Sequence, residues 1–535
     1  MRGMVVAAQP EAAEAGVEVL RQGGNAVDAA IACAFSQGVV DPQMCGIGGF
    51  GAMQICLPRR GVHTVLEFFA RAPLSATPEM WAEKFIGQSR DGFVFLLKDQ
   101  CNDIGYGSVG TPGNVAGYTE ALARFGTMPL RDVMQPAIAQ AHRGVMVRPY
   151  MHYYWTIDHG GDGQVNVEDK LRFSETGRQV YFRPDGRLKR PGDILRNPEM
   201  ARTLERIAEG GAETFYRGEI ARAIATDMEA RGGGITLEDL AAYRVREKAP
   251  CWGAYRGLRV ASNPPPAGGG SLIELLHILG HFDLAALEHN SPEHLRILAE
   301  AMKWMTIDKD AHMGDPDFVD VPLDRLLSAE HSAALAARIR AGEKAVVPRA
   351  GEPQDPPDTT VVCVVDGEGN AVSLTHTLGI PSGVITPGLG FMYNGCMSGF
   401  DPRPGRAASI APGKGRASAM APTILFEGEA PCMVLGAPGG TFIVPALAQA
   451  ISNVVDFGMS MADAVAAPRI VALSDTIDVS NRIPHGVSAA LASMGYPIAR
   501  SYQSYAFGAP HGLLIRDGHC TGGADPQRDG MAMAA

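Results

Sequence analysis

The change of character between residues 358 and 359 constrains this chain more than any other feature. Residues 341–358, AGEKAVVPRAGEPQDPPD, hold four prolines and several charges and have almost nothing apolar to bury, which is the composition of an exposed linker. The next twenty residues, TTVVCVVDGEGNAVSLTHTL, reverse it. Two β-rich runs flank the turn Asp366, Gly367, Glu368, Gly369, Asn370, and the pattern predicts a β-hairpin. Thr359 and Thr360 stand at the junction.

Upstream, PEAAEAGVEVLRQ has apolar residues at helical spacing and stops at Gly23 and Gly24. Asn25 can cap a second helix, AVDAAIACAFSQGVV, whose near-continuous apolar character predicts burial on most sides. FGAMQICL and HTVLEFFARAP alternate as strands do. From about 114 to 345 the pattern is mainly helical, clearest in NVAGYTEALARFG, MARTLERIAEG, EIARAIATDMEARGGG and SPEHLRILAEAMKWMTIDKDAHM, with short strands expected at QVYFRP and YRGLRVASN. Pro264 to Gly270 reads as a loop or helix entry. After the hairpin, APTILFE and PCMVLGAP predict strands and TFIVPALAQAISNVVDFG a helix. Strands at both ends with helices between and after them predict an α+β fold with sheets packed on each other and helices outside.

A net charge of −11 with no basic block argues against a nucleic-acid partner. No stretch approaches the roughly 20 apolar residues that span a bilayer. The first residues leave no room for a signal h-region, so a cytoplasmic protein with no membrane partner is expected. Nine scattered cysteines with no CxxC pair predict reduced thiols and no structural zinc.

Several motifs fail on context. Gly46 to Gly51 satisfies G-x-G-x-x-G, but a helix precedes it and a strand follows, so a tight turn where only glycine fits is the better reading. His277 and His281 are four apart, yet Ile278 stands where H-E-x-x-H needs glutamate. No serine-hydrolase signature is present. Thr359 is read in two ways. It is the start of a β-branched strand, the commoner case. Alternatively, a cut after Asp358 would give it a new α-amino group, of ordinary pKa about 7.7–8.0, that can serve as base for its own hydroxyl.

The blocks GGNAVDAAIA (23–32), CGIGGFG (45–51), VGTPGNVAGY (109–118), NPPPAGGG (263–270), the hairpin (358–378), SAMAPTIL (418–425) and GAPGGTFI (436–443) resemble γ-glutamyltransferases in order and spacing. The resemblance implies a four-layer αββα sandwich of the N-terminal-nucleophile class. It also implies autoproteolysis between Asp358 and Thr359, giving a large chain 1–358 and a small chain 359–535 folded as one unit. Thr359 would be the nucleophile. Thr377 would hydrogen-bond it, and the backbone N–H groups of Gly439 and Gly440 would face the developing oxyanion.

The chain departs from the family where a glutamyl donor would be held. In the family block D-F-R-E-x-A-P the carboxylate-clamping arginine is replaced here by Phe69. Arg71, two residues on, is either a substitute clamp on the same strand face or a structural arginine. Where the family has an asparagine two residues after the second threonine, this chain has Gly379. Where it has N-N-Q-M-D-D-F, this chain reads Asn394, Gly395, Cys396, Met397, Ser398, Gly399, Phe400, which removes the partners of an α-ammonium. Ser418 is kept, and Ala419 follows it. The expectation is a self-processing threonine amidohydrolase or acylase acting on a small-molecule amide whose acyl group lacks a free amino-acid head. Arg71, Phe69, Asn394, Cys396 and Ser418 would lie around the acyl group, and no metal or organic cofactor is called for. A true γ-glutamyl hydrolase or transferase and an unprocessed binding protein are the alternatives. The two fragments are expected to associate, and a dimer of such heterodimers is left open.

Overall fold

A computed structural model describes residues 3–159, 163–349, 359–503 and 507–535. Two antiparallel sheets dominate it. The first has seven strands in the order Met531–Ala534, Met4–Ala7, Thr360–Val365, Ala371–Thr377, Phe50–Leu57, Val62–Phe68, Arg246–Lys248. The second has six, in the order His519–Ala524, His511–Arg516, Ala430–Gly436, Thr423–Glu427, Leu258–Ser262, Cys251–Tyr255. Strands from either side of residue 359 are neighbours in both sheets. Met4–Ala7, for instance, is paired on both edges by strands from beyond residue 359.

Side-chain alternation along the central strand separates two apolar layers, because successive residues point to opposite faces. Val361, Cys363 and Val365 pack against Ala261, Ile424, Val434 and Leu513 of the six-stranded sheet. Val362 and Val364 face the other way and join Val27, Ile31 and Phe35 of the helix Ala26–Val40. The far face of the six-stranded sheet carries the helices Gly269–Gly280, Pro292–His312 and Ile443–Val455.

The helix Ala26–Val40 is buried along its whole length, as its apolar character predicts. Asn25 caps it, accepting from the backbone of Val27 and Asp28, while Asp28 accepts from Asn25 N to close a capping box. The hairpin turn is held by Asp366, whose carboxylate accepts from Glu368 N and Asn370 N and, through its second oxygen, from Ala26 N at the start of that helix. One carboxylate therefore ties the hairpin to the helix behind it.

Two expectations need correction. QVYFRP is no strand: Glu175–Tyr181 is helical and Phe182 makes only an isolated bridge to Leu188. The capping Ser174 hydroxyl accepts from Gly177 N and starts the helix, and this local cap outweighs the β-branched appearance of the run. The strand of HTVLEFFARAP ends at Phe68. Arg71 is therefore not on a strand face shared with Phe69; it lies past the strand in isolated bridges to Thr111 and Gly415. The linker's residues 350–358, including Asp358, lie outside the described residues.

Candidate active site

The register of the central hairpin brings the two threonines together. Thr360 lies opposite His376 and Val361 opposite Thr375, so one step further Thr359 meets Thr377. The Thr359 hydroxyl donates to Thr377 Oγ1 at 3.3 Å, and both residues are buried. Thr377 Oγ1 also accepts from Gly379 N at 2.7 Å, which orients its lone pairs. Parity puts both hydroxyls on the face turned toward the second sheet, with Ser373 and Thr375.

The opposite face anchors the junction. Gln37, on the buried helix, donates through Nε2 to Thr360 Oγ1 at 2.8 Å, and its Oε1 accepts from His376 Nε2 at 2.8 Å. His376 Nδ1 meets the Tyr118 hydroxyl at 2.6 Å. Burial pushes the His376 imidazole down to about 3, so it stays neutral and acts as a fixed link in this chain of contacts.

The strand Ala430–Gly436 ends over the start of the hairpin: a Cβ on Gly436 would lie 2.3 Å from Val361 Cγ2. The loop that follows delivers Gly439 and Gly440 to the same end of the two sheets. Both have positive φ, 132° and 52°, and a Cβ on Gly439 would come within 2.7 Å of Gly508 Cα. Two glycines are required here for backbone reasons. The glycine turn ahead of the first strand behaves likewise, since a Cβ on Gly49 would sit 2.1 Å from the Thr377 carbonyl oxygen. Close approach explains that motif, and nothing in it resembles a dinucleotide loop.

Beside this end lies a cavity of about 250 Å³ whose wall includes Phe93, Met305, Gly399, Arg416, Ser418 and Thr441, the residue after the glycine pair. Of the residues assigned to the acyl group, only Ser418 is in that wall. Phe69 is fully buried, edge-on to Phe50 at 6.3 Å. Cys396 is buried against Gly110, whose added Cβ would lie 2.2 Å from its Sγ, and desolvation pushes its thiol up to about 12. Asn394 donates to the carbonyls of Gly48 and Gly110 and accepts from Gly110 N and Cys396 N, so its amide pins three loops together. Arg71 extends over the Tyr243 ring at 5.7 Å and lines a different cavity with Tyr243 and Arg246.

His277 and His281 do not converge on one ligand position. His277 Nε2 accepts from Ala254 N, and His281 pairs with the Ser332 hydroxyl. All nine cysteines are free thiols. No helix among the described residues is long and apolar enough to cross a membrane.

Over this framework, a family model described as Gamma-glutamyltranspeptidase matches residues 12–535. The chain belongs to the gamma-glutamyltranspeptidase family. It is 38% identical to the Acylase ACY 1 proenzyme of Pseudomonas sp. (strain V22), a match covering 100% of this chain and 93% of that protein. It is 33% identical to the Glutathione hydrolase proenzyme of Escherichia coli (strain K12), over 98% of this chain and 90% of that one. In structure it is similar to the cephalosporin acylase from Bacillus halodurans, with a TM-score of 0.88 at 30% identity, covering 99% of this chain and 95% of that chain. Membership of the gamma-glutamyltranspeptidase family and these acylase relatives make the protein an amidohydrolase.

One residue escaped the sequence reading of this gamma-glutamyltranspeptidase relative. Arg416 is 3% exposed, and its guanidinium fills the room left by two glycines: a Cβ on Gly399 would lie 1.9 Å from Arg416 Nε, and one on Gly379 2.8 Å from Arg416 Nη1. The available signal was the coincidence of two side-chain losses, at 379 and 399, with an arginine two residues before Ser418.

Proposed function

We propose that the chain is a self-processing threonine amidohydrolase that cleaves a small amide or acylamide through an acyl-enzyme on Thr359, with a donor other than a γ-glutamyl group. The observation that carries this reading is the buried Thr359 hydroxyl, 3.3 Å from Thr377 Oγ1, at the first described residue after the proline-rich segment. The names of the Pseudomonas and Escherichia coli relatives, both proenzymes, support the processing step.

In this reading the fold is a four-layer αββα sandwich of the N-terminal-nucleophile type. The Thr359 hydroxyl attacks the carbonyl carbon of Asp358, the peptide nitrogen leaves as the α-amine of Thr359, and water hydrolyses the resulting ester. The chain becomes fragments 1–358 and 359–535, which stay together because both contribute hydrogen-bonded strands to both sheets. In the mature enzyme the α-amine takes the proton of the same hydroxyl as it attacks a substrate amide. The N–H groups of Gly439 and Gly440 receive the oxyanion, the leaving amine takes the proton, and water releases the acid. Each such donor is typically worth about 10²–10³ in rate.

Glutamyl specificity is argued against by Gly379, Cys396 and Gly399. An α-ammonium needs acceptors, and a pocket that lacks them leaves the charge unpaired. Here two of those positions adjoin a guanidinium instead.

Intact-mass measurement of the purified protein beside Thr359→Ala is the test. A fragment beginning at Thr359 in the parent alone, with hydrolysis of a chromogenic acyl anilide, is the expected result. Two uncut chains would replace this reading with that of a binding protein.

A further inference from the structure

Away from the threonines, one cluster of titratable side chains has no part in the chemistry above. Glu274, Asp308 and His331 stand on three helices, Gly269–Gly280, Pro292–His312 and Ala329–Arg340. Each offers a ligand atom, and the three atoms all lie within 4.8 Å of one another. Glu274 is what sets the cluster apart. Its neighbours Leu272, Ile273, Leu275, Leu276 and Ile278 are wholly buried, and Glu274 itself is 0% exposed. Neither of its carboxylate oxygens has a hydrogen-bond partner, and its Oε1 points at His331 Nε2, 3.7 Å away. A carboxylate shut into apolar surroundings is costly unless a cation or hydrogen-bond donors meet it. Asp308 adds a second carboxylate, with Oδ2 2.8 Å from the same Nε2. No lysine or arginine among the described residues forms an ion pair with either acid. Two carboxylates facing one imidazole leave a surplus of negative charge, which a divalent cation balances.

The donor set and its spacing suit such an ion. One imidazole nitrogen and two carboxylate oxygens are ordinary zinc ligands, and tetrahedral bonds of about 2.0–2.2 Å set ligand atoms about 3.3–3.6 Å apart. The separations of 2.8 and 3.7 Å bracket that spacing. His331 is the third residue of its helix, and its backbone N–H donates to the capping Ser328 hydroxyl at 3.1 Å, which fixes the backbone that carries the imidazole. Glu274 closes the floor of the site, while the side chains of Asp308 and His331 are 15% and 16% exposed. An ion can enter past these two, and water can take the fourth position.

We propose that Glu274, Asp308 and His331 form a structural site for one divalent transition-metal ion, with Zn²⁺ the best fit. The bound ion cross-links three helices, and the last of them, Ala329–Arg340, ends where the proline-rich segment begins. Gly269–Gly280 and Pro292–His312 pack on the face of the six-stranded sheet turned away from Thr359, so the ion acts on stability and takes no part in the chemistry at the threonines. In the ion-free protein the surplus negative charge is met by protons instead.

Purified protein, stripped with a chelator and dialysed free of it, should bind a single equivalent of Zn²⁺ per chain by isothermal titration calorimetry. Its Tm should rise by about 2–3 °C at a hundredfold excess of free Zn²⁺ over the dissociation constant. Glu274→Gln keeps the shape and removes the charge; it should weaken binding at least about 10-fold, since even the outer partners of a metal ligand are worth that much. His331→Ala should abolish the rise in Tm. Co²⁺ in place of Zn²⁺ reports the ligands in the parent directly, and nitrogen and oxygen donors should give weak visible bands with no thiolate charge transfer. A parent that binds neither ion would overturn the proposal, as would full-strength binding by folded Glu274→Gln. A thiolate charge-transfer band would also overturn it, by putting the ion on one of the nine cysteines. The cobalt spectrum needs no variant, so a misfolded one does not blunt the test.

Discussion

Thr359 and Thr377 face each other across the central hairpin with their hydroxyl oxygens 3.3 Å apart, and Thr377 is oriented in turn by Gly379 N at 2.7 Å. An acceptor placed this way selects one rotamer of the Thr359 side chain and, in the proposed mechanism, holds its lone pair toward an incoming carbonyl. Thr377→Ala should therefore slow both appearance of the Thr359 fragment and anilide hydrolysis, by about 10- to 100-fold for a hydrogen bond of this kind. Thr377→Ser should restore most of both. Mass-resolved time courses read the first rate and steady-state kinetics the second.

Gly439 adopts φ 132°, and a Cβ there would lie 2.7 Å from Gly508 Cα. Gly439→Ala must shift the loop and with it the N–H groups of the glycine pair. A fall in kcat of about 10²–10³ is expected, the cost of misplacing an oxyanion donor. KM should change less, because the donors act on charge that develops in the transition state. An unchanged kcat would remove the glycine pair from the mechanism.

Arg71 reaches over Tyr243 into a cavity shared with Arg246, whereas Ser418 and Arg416 line another. Arg71→Ala should leave KM for the acyl donor unchanged and lower only thermal stability, through the lost packing on Tyr243. A large rise in KM, read on a chromogenic acyl anilide, would return Arg71 to the role of carboxylate clamp.

Three helices bring Glu274, Asp308 and His331 together, with His331 Nε2 2.8 Å from Asp308 Oδ2 and 3.7 Å from Glu274 Oε1. Burial pushes the Glu274 carboxyl up from 4.5 to about 8, while its neighbours Glu274 and Asp308 raise the His331 imidazole above 6.5. Both folded groups hold protons that the unfolded chain has released. Stability is therefore full at acid pH below the unfolded values and falls as pH rises from 4.5 through about 8. Calorimetry should find a Tm that declines over this window and a shallower decline in Glu274→Gln, whose amide stays neutral. Equal slopes would assign the decline elsewhere.

Much of the framework is legible in local sequence because local physics suffices there. Asn25 with Asp28 starts a helix, continuous apolar residues bury it, and the turn Asp366–Asn370 sets a hairpin whose register follows from its length. That register alone puts Thr359 opposite Thr377. Period-two alternation also assigns Val361 and Val362 to different layers. Family blocks then place the glycine pair and mark what has been lost at 69, 379, 396 and 399.

Where those losses lead was decided by the tertiary structure. Phe69 and Cys396 are as apolar as an acyl pocket would want, yet both pack inside the core, Phe69 just past the end of its strand at Phe68 and Cys396 against Gly110. Arg71 looks like a shifted clamp at two residues' distance but leaves in another direction for the same reason. Arg416 carries no motif at all. Its placement depends on two glycines, 37 and 17 residues before it in the chain, that vacate one volume, and on two phenylalanines from other segments that wall the volume in. Pattern along a chain reports the faces of single elements. The shape and charge of a cavity belong to residues far apart in sequence, and only packing brings them together.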